Sequence, residues 1–192
     1  MTILKNGLMV GIAGLLSACA GFNDYPQDSP YYRYTSGWTL QLNRTLEIAP
    51  DEASVRLQQG RIVPRNSVQE QRPFCVFEVT TVRSEPQRVQ PGVFEIWQVQ
   101  RRVSTIADAG APAAPLTVGA LAWGSDSPSF FYYKTEFRLR AASHPNLISL
   151  TCMHDQLGPS NYGGIMRHLT LDEIRYALGD WFTLLPPAEG RP

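Results

Sequence analysis

Three histidines, three cysteines and a scatter of carboxylates are the residues on which chemistry would rest in this chain of 192 residues. His144, His154 and His168 fall on loops and strand ends. They lack the HxxxH or CxxC spacing that gathers ligands round a metal ion, so no metal set and no cofactor site is expected. His154-Asp155 has the residue types of half a hydrolytic triad, but no GxSxG elbow supplies a nucleophile. Neighbours in sequence are not thereby oriented in space. Gly163-Gly164 in "SNYGGI" marks a loop without the strand–turn–helix context of a phosphate cradle. Glu78 and Glu95 fall within expected strands, where a carboxylate on the polar face is ordinarily solvated. No catalytic residue is assigned, and a non-enzymatic role is expected.

The third cysteine stands apart. Cys19 follows the most apolar stretch of the chain, with small residues on both sides in "LLSACAG". Lys5 supplies a short positive n-region, and residues 7–16 form an apolar run of about ten residues, the length of a secretory h-region. A bilayer span needs roughly 20. Leu16-Ser17-Ala18-Cys19 resembles the bacterial lipobox, a leucine followed by two small residues and a cysteine. The resemblance implies that residues 1–18 are a signal peptide removed before Cys19, and that Cys19 carries the lipid. Acyl chains contribute about 0.8 kcal/mol per buried CH₂, so two or three of them hold a protein on a membrane almost permanently. By analogy with enteric lipoproteins, Ala20 in place of Asp favours the outer membrane, with the domain facing the periplasm.

What remains is long enough for one domain with a proper core. Acidic and basic residues number 17 each, with no block of like charge, so neither nucleic acid nor an acidic surface is implied as partner. Residues 19–37 are rich in Pro, Asp, Asn, Ser and Gly and read as a lipid-anchored tether. Tyr25, Tyr31, Tyr32 and Tyr34 are unusual for a plain linker. The later ones are expected to pack on the domain edge. Residues 38–185 are expected to form a single periplasmic β-rich domain, and 186–192 a loose tail.

The segment "WTLQLNRTLEI" alternates strictly, with Leu40, Leu42, Leu46 and Ile48 on one face, and predicts a half-buried strand over 38–48. Arg44 falls on the apolar face and breaks the pattern; snorkelling to an edge, a bulge or a buried carboxylate partner would each accommodate it. Further strands are predicted over 54–57, 74–82, 93–105, 116–123, 130–141 and 147–153, with the last two joined as an antiparallel hairpin. The apolar face switches between Ile96 and Trp97, as at a bulge. In "LTLDEIRYALGDW", Thr170 and Glu173 form a capping box, Leu171, Ile174 and Leu178 a buried stripe, and Gly179 the stop. The pattern predicts a mainly β fold, an antiparallel β-sandwich or partly open barrel with one C-terminal helix. Cys75 and Cys152 both point into the predicted core of an exported domain, so a disulfide between strands is expected, with buried free thiols as the alternative.

A second resemblance covers much of the mature chain. The combination "RPFCVFEV", "FRLRAASHPNLISLTC" and "LTLDEIRYALGDWFTL" is similar to a group of proteobacterial outer-membrane lipoproteins of unassigned function. Its motifs are structural: they support the cysteine pair and the helix, and imply no activity. Two functional expectations follow. The first is a lipid-anchored envelope subunit or scaffold that binds another envelope protein, with Tyr31, Tyr32, Phe130 and Tyr132 as contact residues. The alternative is a periplasmic small-molecule or glycan-binding domain, a hydrolase among its forms.

Overall fold

The computed structural model describes residues 25–105, 131–154 and 167–187. Cys19, Phe130 and the strand expected over 116–123 lie outside them. The fold is mainly β, a strongly curled antiparallel half-barrel with a small second sheet and one short C-terminal helix. Of the two expected architectures, this is the partly open barrel.

The described strands are β1 (Thr39–Leu42), β2 (Leu46–Ile48), β3 (Ser54–Gln58), β4 (Arg61–Val63), β5 (Phe74–Val79), β6 (Gln87–Val89), β7 (Gly92–Thr105), β8 (Phe131–Arg140), β9 (Leu147–Met153) and β10 (Phe182–Leu185). The helix α1 spans Leu171–Leu178, between β9 and β10. The large sheet runs β10-β1-β7-β8-β9-β5-β3-β4, and β2 pairs with β6. All pairings are antiparallel. Its inner face carries Leu40, Phe94, Phe137, Leu150, Phe77 and Leu57, all fully buried, and α1 packs there against β3, β5 and β10.

The strand predicted over 38–48 is two strands in two sheets. After Leu42 the Asn43 amide N–H donates to the Trp181 carbonyl (2.9 Å), and its side-chain amide donates to the Asp180 carbonyl (3.1 Å) and to Thr183 Oγ1 (3.0 Å). Arg44, released from the ladder, lies over the Trp181 ring, its guanidinium carbon 4.1 Å from the centroid. The chain then re-enters extended geometry opposite β6, with Leu46 facing Val89. Alternation survives the break because both strands bury the same set of leucines in one core; period two reports burial and is blind to the change of partner.

The bulge falls where the face switch placed it. Ile96 opposes Leu139 and Gln98 opposes Arg138, leaving Trp97 as the extra, exposed residue. Before it Phe94 and Ile96 point inward; beyond it Val99 and Arg101 do, opposite Phe137 and Thr135. Cys75 and Cys152 oppose each other across β5 and β9 and are joined in a disulfide.

The helix forms as its sequence dictates. Thr170 Oγ1 accepts from the Glu173 amide (3.3 Å), and the Glu173 carboxylate accepts from the Thr170 amide (2.8 Å). Arg167 grips the same carboxylate with two bonds of 2.7 Å. Burial opposes ionisation of Glu173, but these bonds prevail and hold its carboxyl below the usual range. The helix ends on Gly179 (φ 54°), which lies against Gly60 in the β3–β4 turn. That turn has φ 53° at Gln59 and 71° at Gly60, the signs of a type I′ hairpin. Its Gly60 amide donates to the Ala177 carbonyl (3.1 Å), satisfying one orphan acceptor of the helix end.

A methyl on Gly179 would stand 2.3 Å from the Gly60 Cα, backbone that cannot swing aside, at a positive φ besides. Gly179→Ala should therefore cost on the order of 3 kcal/mol or prevent folding. Gly60→Ala, whose nearest contact is 3.2 Å, should cost less. Urea denaturation of both variants measures the difference; equal, small losses would refute the close-approach account.

Candidate functional site

A strand pattern of alternating apolar and charged residues implies a solvated polar outer face for the sheet. Part of that face is not solvated. Glu136 on β8 is 3 % exposed, lying between Arg102 and Arg138, which both pair with it, the latter at 2.7 Å. Thr151 stands beside it on β9, and one row further on Ser149 donates to the Glu78 carboxylate (3.0 Å). Tyr132, expected on a contact surface, is 8 % exposed, and its hydroxyl donates to the Glu70 carboxylate. The segment after β4 is fixed by Gln58, whose side chain donates to the Gln69 carbonyl (2.8 Å) and accepts from the Gln69 amide (3.0 Å). It brings Glu70 to Tyr132 across this face. Glu136 with its two arginines, Ser149 with Glu78 and Tyr132 with Glu70 make this a layer of paired charged and polar groups. Glu95, by contrast, is exposed and grips Arg140 with two bonds of 2.8 and 2.6 Å.

The inner face holds a different set. Toward the β7–β8 end the apolar core gives way to Arg101 on β7, Thr135 opposite it on β8, Tyr34 from the N-terminal segment, and His168 just before α1. Tyr34 packs edge-on against Phe137 (5.0 Å between centroids) and Trp38 (5.4 Å), and Tyr32 packs on both Tyr34 and Trp38. The later tyrosines of the expected tether are thus part of the folded domain. Arg101 Nη1 donates to the Pro30 carbonyl (2.9 Å), which ties the same segment down.

Several polar atoms here are buried without a hydrogen-bond partner: Arg101 Nε and Nη2, Thr135 Oγ1, the Tyr34 hydroxyl and His168 Nδ1. An unsatisfied buried donor or acceptor costs roughly 1–3 kcal/mol, so such a concentration in one place is unusual. The electrostatics agree with burial. Desolvation pushes the Tyr34 hydroxyl up to about 12, against the charge and the hydrogen-bonding pull of the neighbouring Arg101. Desolvation lowers the Arg101 guanidinium, with Tyr34 acting the other way. His168 is pushed down to about 4 by burial first and the Arg101 charge second, and a backbone hydrogen bond with Lys134 opposes both. Its ring packs edge-on against Tyr133 at 5.4 Å.

Of the other histidines, His144 is structural: Nε2 accepts from the Gln90 amide (3.3 Å), Nδ1 lies 2.9 Å from Ser143 Oγ, and the ring packs on Phe94. His154 follows the end of β9, and Asp155 lies outside the described residues. Among the described residues no group of three His, Cys, Asp or Glu comes together as a metal site would require. Of the expected contact residues, Tyr32 is half-buried and Tyr132 covered, while Tyr31 is 58 % exposed with its ring 5.5 Å from that of Tyr25. Sequence reasoning passed over Arg101. The signal was available: once the face switch at Ile96–Trp97 is counted, Arg101 falls on the apolar side with Val99.

Because His168 binds its proton at about 4 when folded and at an ordinary 6.5 when unfolded, the unfolded chain holds more protons between those values. Its contribution to stability is full above pH 6.5 and declines as pH falls through that window. Denaturation midpoints at pH 7 and pH 4.5 should differ less in His168→Gln than in the parent protein. A His168 NMR titration with an ordinary midpoint would refute this. No protein-family model, no curated protein and no solved structure matches this chain.

Proposed function

We propose that the chain is a lipid-anchored cell-envelope protein, acylated at Cys19, held on the periplasmic side of the outer membrane, and working as a subunit or scaffold that binds another envelope protein. The observation that carries the binding role is the Tyr25–Tyr31 pair. Both rings are exposed, at 43 and 58 %, and they touch each other. They sit on a segment already locked to the domain through Tyr32, Tyr34 and the Pro30 carbonyl. Ordering that segment before encounter removes entropy that binding would otherwise lose. Tyrosine offers a large contact area with few rotamers to freeze. The lipid anchor and the oxidised Cys75–Cys152 pair both suit a domain outside the reducing cytoplasm.

The second reading, a small-molecule or glycan-binding domain, is favoured by the unpartnered polar atoms around Arg101. Convergent polar groups at the edge of an apolar interior are the usual makings of a ligand site.

Cys19→Ser should leave unprocessed precursor and abolish labelling with a fatty-acid probe; persistent labelling would remove the anchor from the proposal. For the partner, Tyr25→Ala with Tyr31→Ala should cut the yield of a crosslinked envelope protein about tenfold, the effect of losing roughly 1.4 kcal/mol. The melting temperature should hardly change, because both rings are largely in water. A protein that crosslinks to nothing yet turns over a glycan or ester would overturn the scaffold role in favour of the second reading.

A further inference from the structure

Arg101 is held by one end of its guanidinium. Nη1 is committed to the Pro30 carbonyl at 2.9 Å, which fixes the plane of the group. Nε and Nη2, whose N–H bonds run parallel along the other edge, are buried and have no partner. What that edge is shaped to hold is shown elsewhere in the same chain: Arg140 uses Nε and Nη2 to grip both oxygens of Glu95 at 2.8 and 2.6 Å. Among the described residues no carboxylate pairs with Arg101.

The surroundings add to this. Thr135, directly opposite on β8, is fully buried, and its hydroxyl has no partner. A valine would pack in that space without leaving an orphan group, so the hydroxyl has no structural account in the free protein. His168 Nδ1 is a further unpartnered polar atom beside this cation, and the Tyr34 hydroxyl, with no partner at ordinary hydrogen-bond geometry, lies near enough to interact with the guanidinium. Arg101 and His168 as whole residues keep partial exposure, so the cluster is not sealed in the core.

We propose that Arg101, with Thr135, Tyr34 and His168 around it, is a binding site for the carboxylate group of a ligand. This rests on the ligand-binding reading and deepens it. The guanidinium edge matches a planar, two-oxygen anion and supplies charge-assisted bonds in a setting sheltered from water. A hydroxyl donor at Thr135 or Tyr34 serves a remaining lone pair. One buried guanidinium balances one negative charge, which favours a carboxylate over a phosphate dianion. The carboxylate belongs either to a small organic acid or to the free C-terminus of a peptide.

The test uses the full-length, 15N-labelled chain in detergent micelles and follows the arginine Nε–Hε resonances. Sodium acetate, N-acetyl-dialanine and its C-terminal amide are titrated at constant ionic strength against sodium chloride, acetamide, inorganic phosphate and N-acetylglucosamine. One arginine resonance should shift saturably with acetate and with the free-acid peptide, and with neither amide. Tighter binding of the peptide than of acetate identifies a chain terminus as the source; the reverse identifies a small acid. Arg101→Met should abolish the response. Should that variant not fold, Thr135→Val decides: it should weaken binding about tenfold with no fall in melting temperature. Shifts that follow ionic strength alone, an undiminished response in Thr135→Val, or phosphate binding more tightly than every carboxylate would overturn the proposal. N-acetylglucosamine binding with the Arg101 resonance unmoved would retain the ligand-binding reading and sink the carboxylate site. Silence from every probe would sink both.

Discussion

Cys75 and Cys152 face each other across two neighbouring inner strands of the large sheet, and the covalent bond between them fixes the register of β5 against β9. A strand that slips by one residue turns all its side chains to the opposite face. Here β5 and β9 cannot slip without breaking the bond. Their row continues outward from the disulfide, to Leu57 on β3 in one direction and through Thr135 to Arg101 in the other. A loop of 77 residues closed this way is worth about 4–5 kcal/mol in the chain-entropy model, a large share of a small domain's net stability. The inner polar cluster therefore lies on the same row of the sheet as this covalent constraint, two strands beyond β9 at Arg101.

With register fixed, the two faces of the sheet solve different problems. On the outer face, burial of Glu136 is made tolerable by arginines on either side. Removing one partner of such a set costs more than the set contributes, because it strands a desolvated charge. On the inner face, Arg101 has no carboxylate among the described residues; it has the Pro30 carbonyl and Tyr34, whose ring lies 5.4 Å away and whose hydroxyl interacts with the guanidinium. Two arginines adjacent in sequence, Arg101 and Arg102, thus point to opposite sides into opposite circumstances: one unmatched, the other neutralised by Glu136.

Much of this was legible in the sequence, and the limits have physical causes. The β9 strand, the capping box of α1, the bulge in β7, the β8–β9 hairpin and the disulfide all follow from local pattern, because each is decided by residues close together or by face alone. The strands β4 and β6, three residues each, and β10 beyond the helix went unread. Their residues become strand only through partners far away in the chain, and β6 lies in a stretch dense with turn residues. Burial of Glu136 and Tyr132 was illegible for a related reason: it depends on Arg102 and on Glu70, brought in by other strands. Arg101 lay between these cases, since its face is local information but its lack of a carboxylate partner is not.

The inserted residue at Trp97 has a consequence for how this domain can change over generations. Upstream of it β7 pairs with both β1 and β8, downstream with β8, and the two stretches are out of phase by one position. Deleting the single codon for Trp97 would bring them into phase and keep every pairing: Gln98, Gln100 and Arg102 would stay on the outer face, and Val99 and Arg101 on the inner. Losing a codon from the regular ladder beyond it would instead turn the later side chains of β7 to the opposite face. Trp97 is in that sense a position where the strand tolerates a change of chain length, beside a ladder that does not.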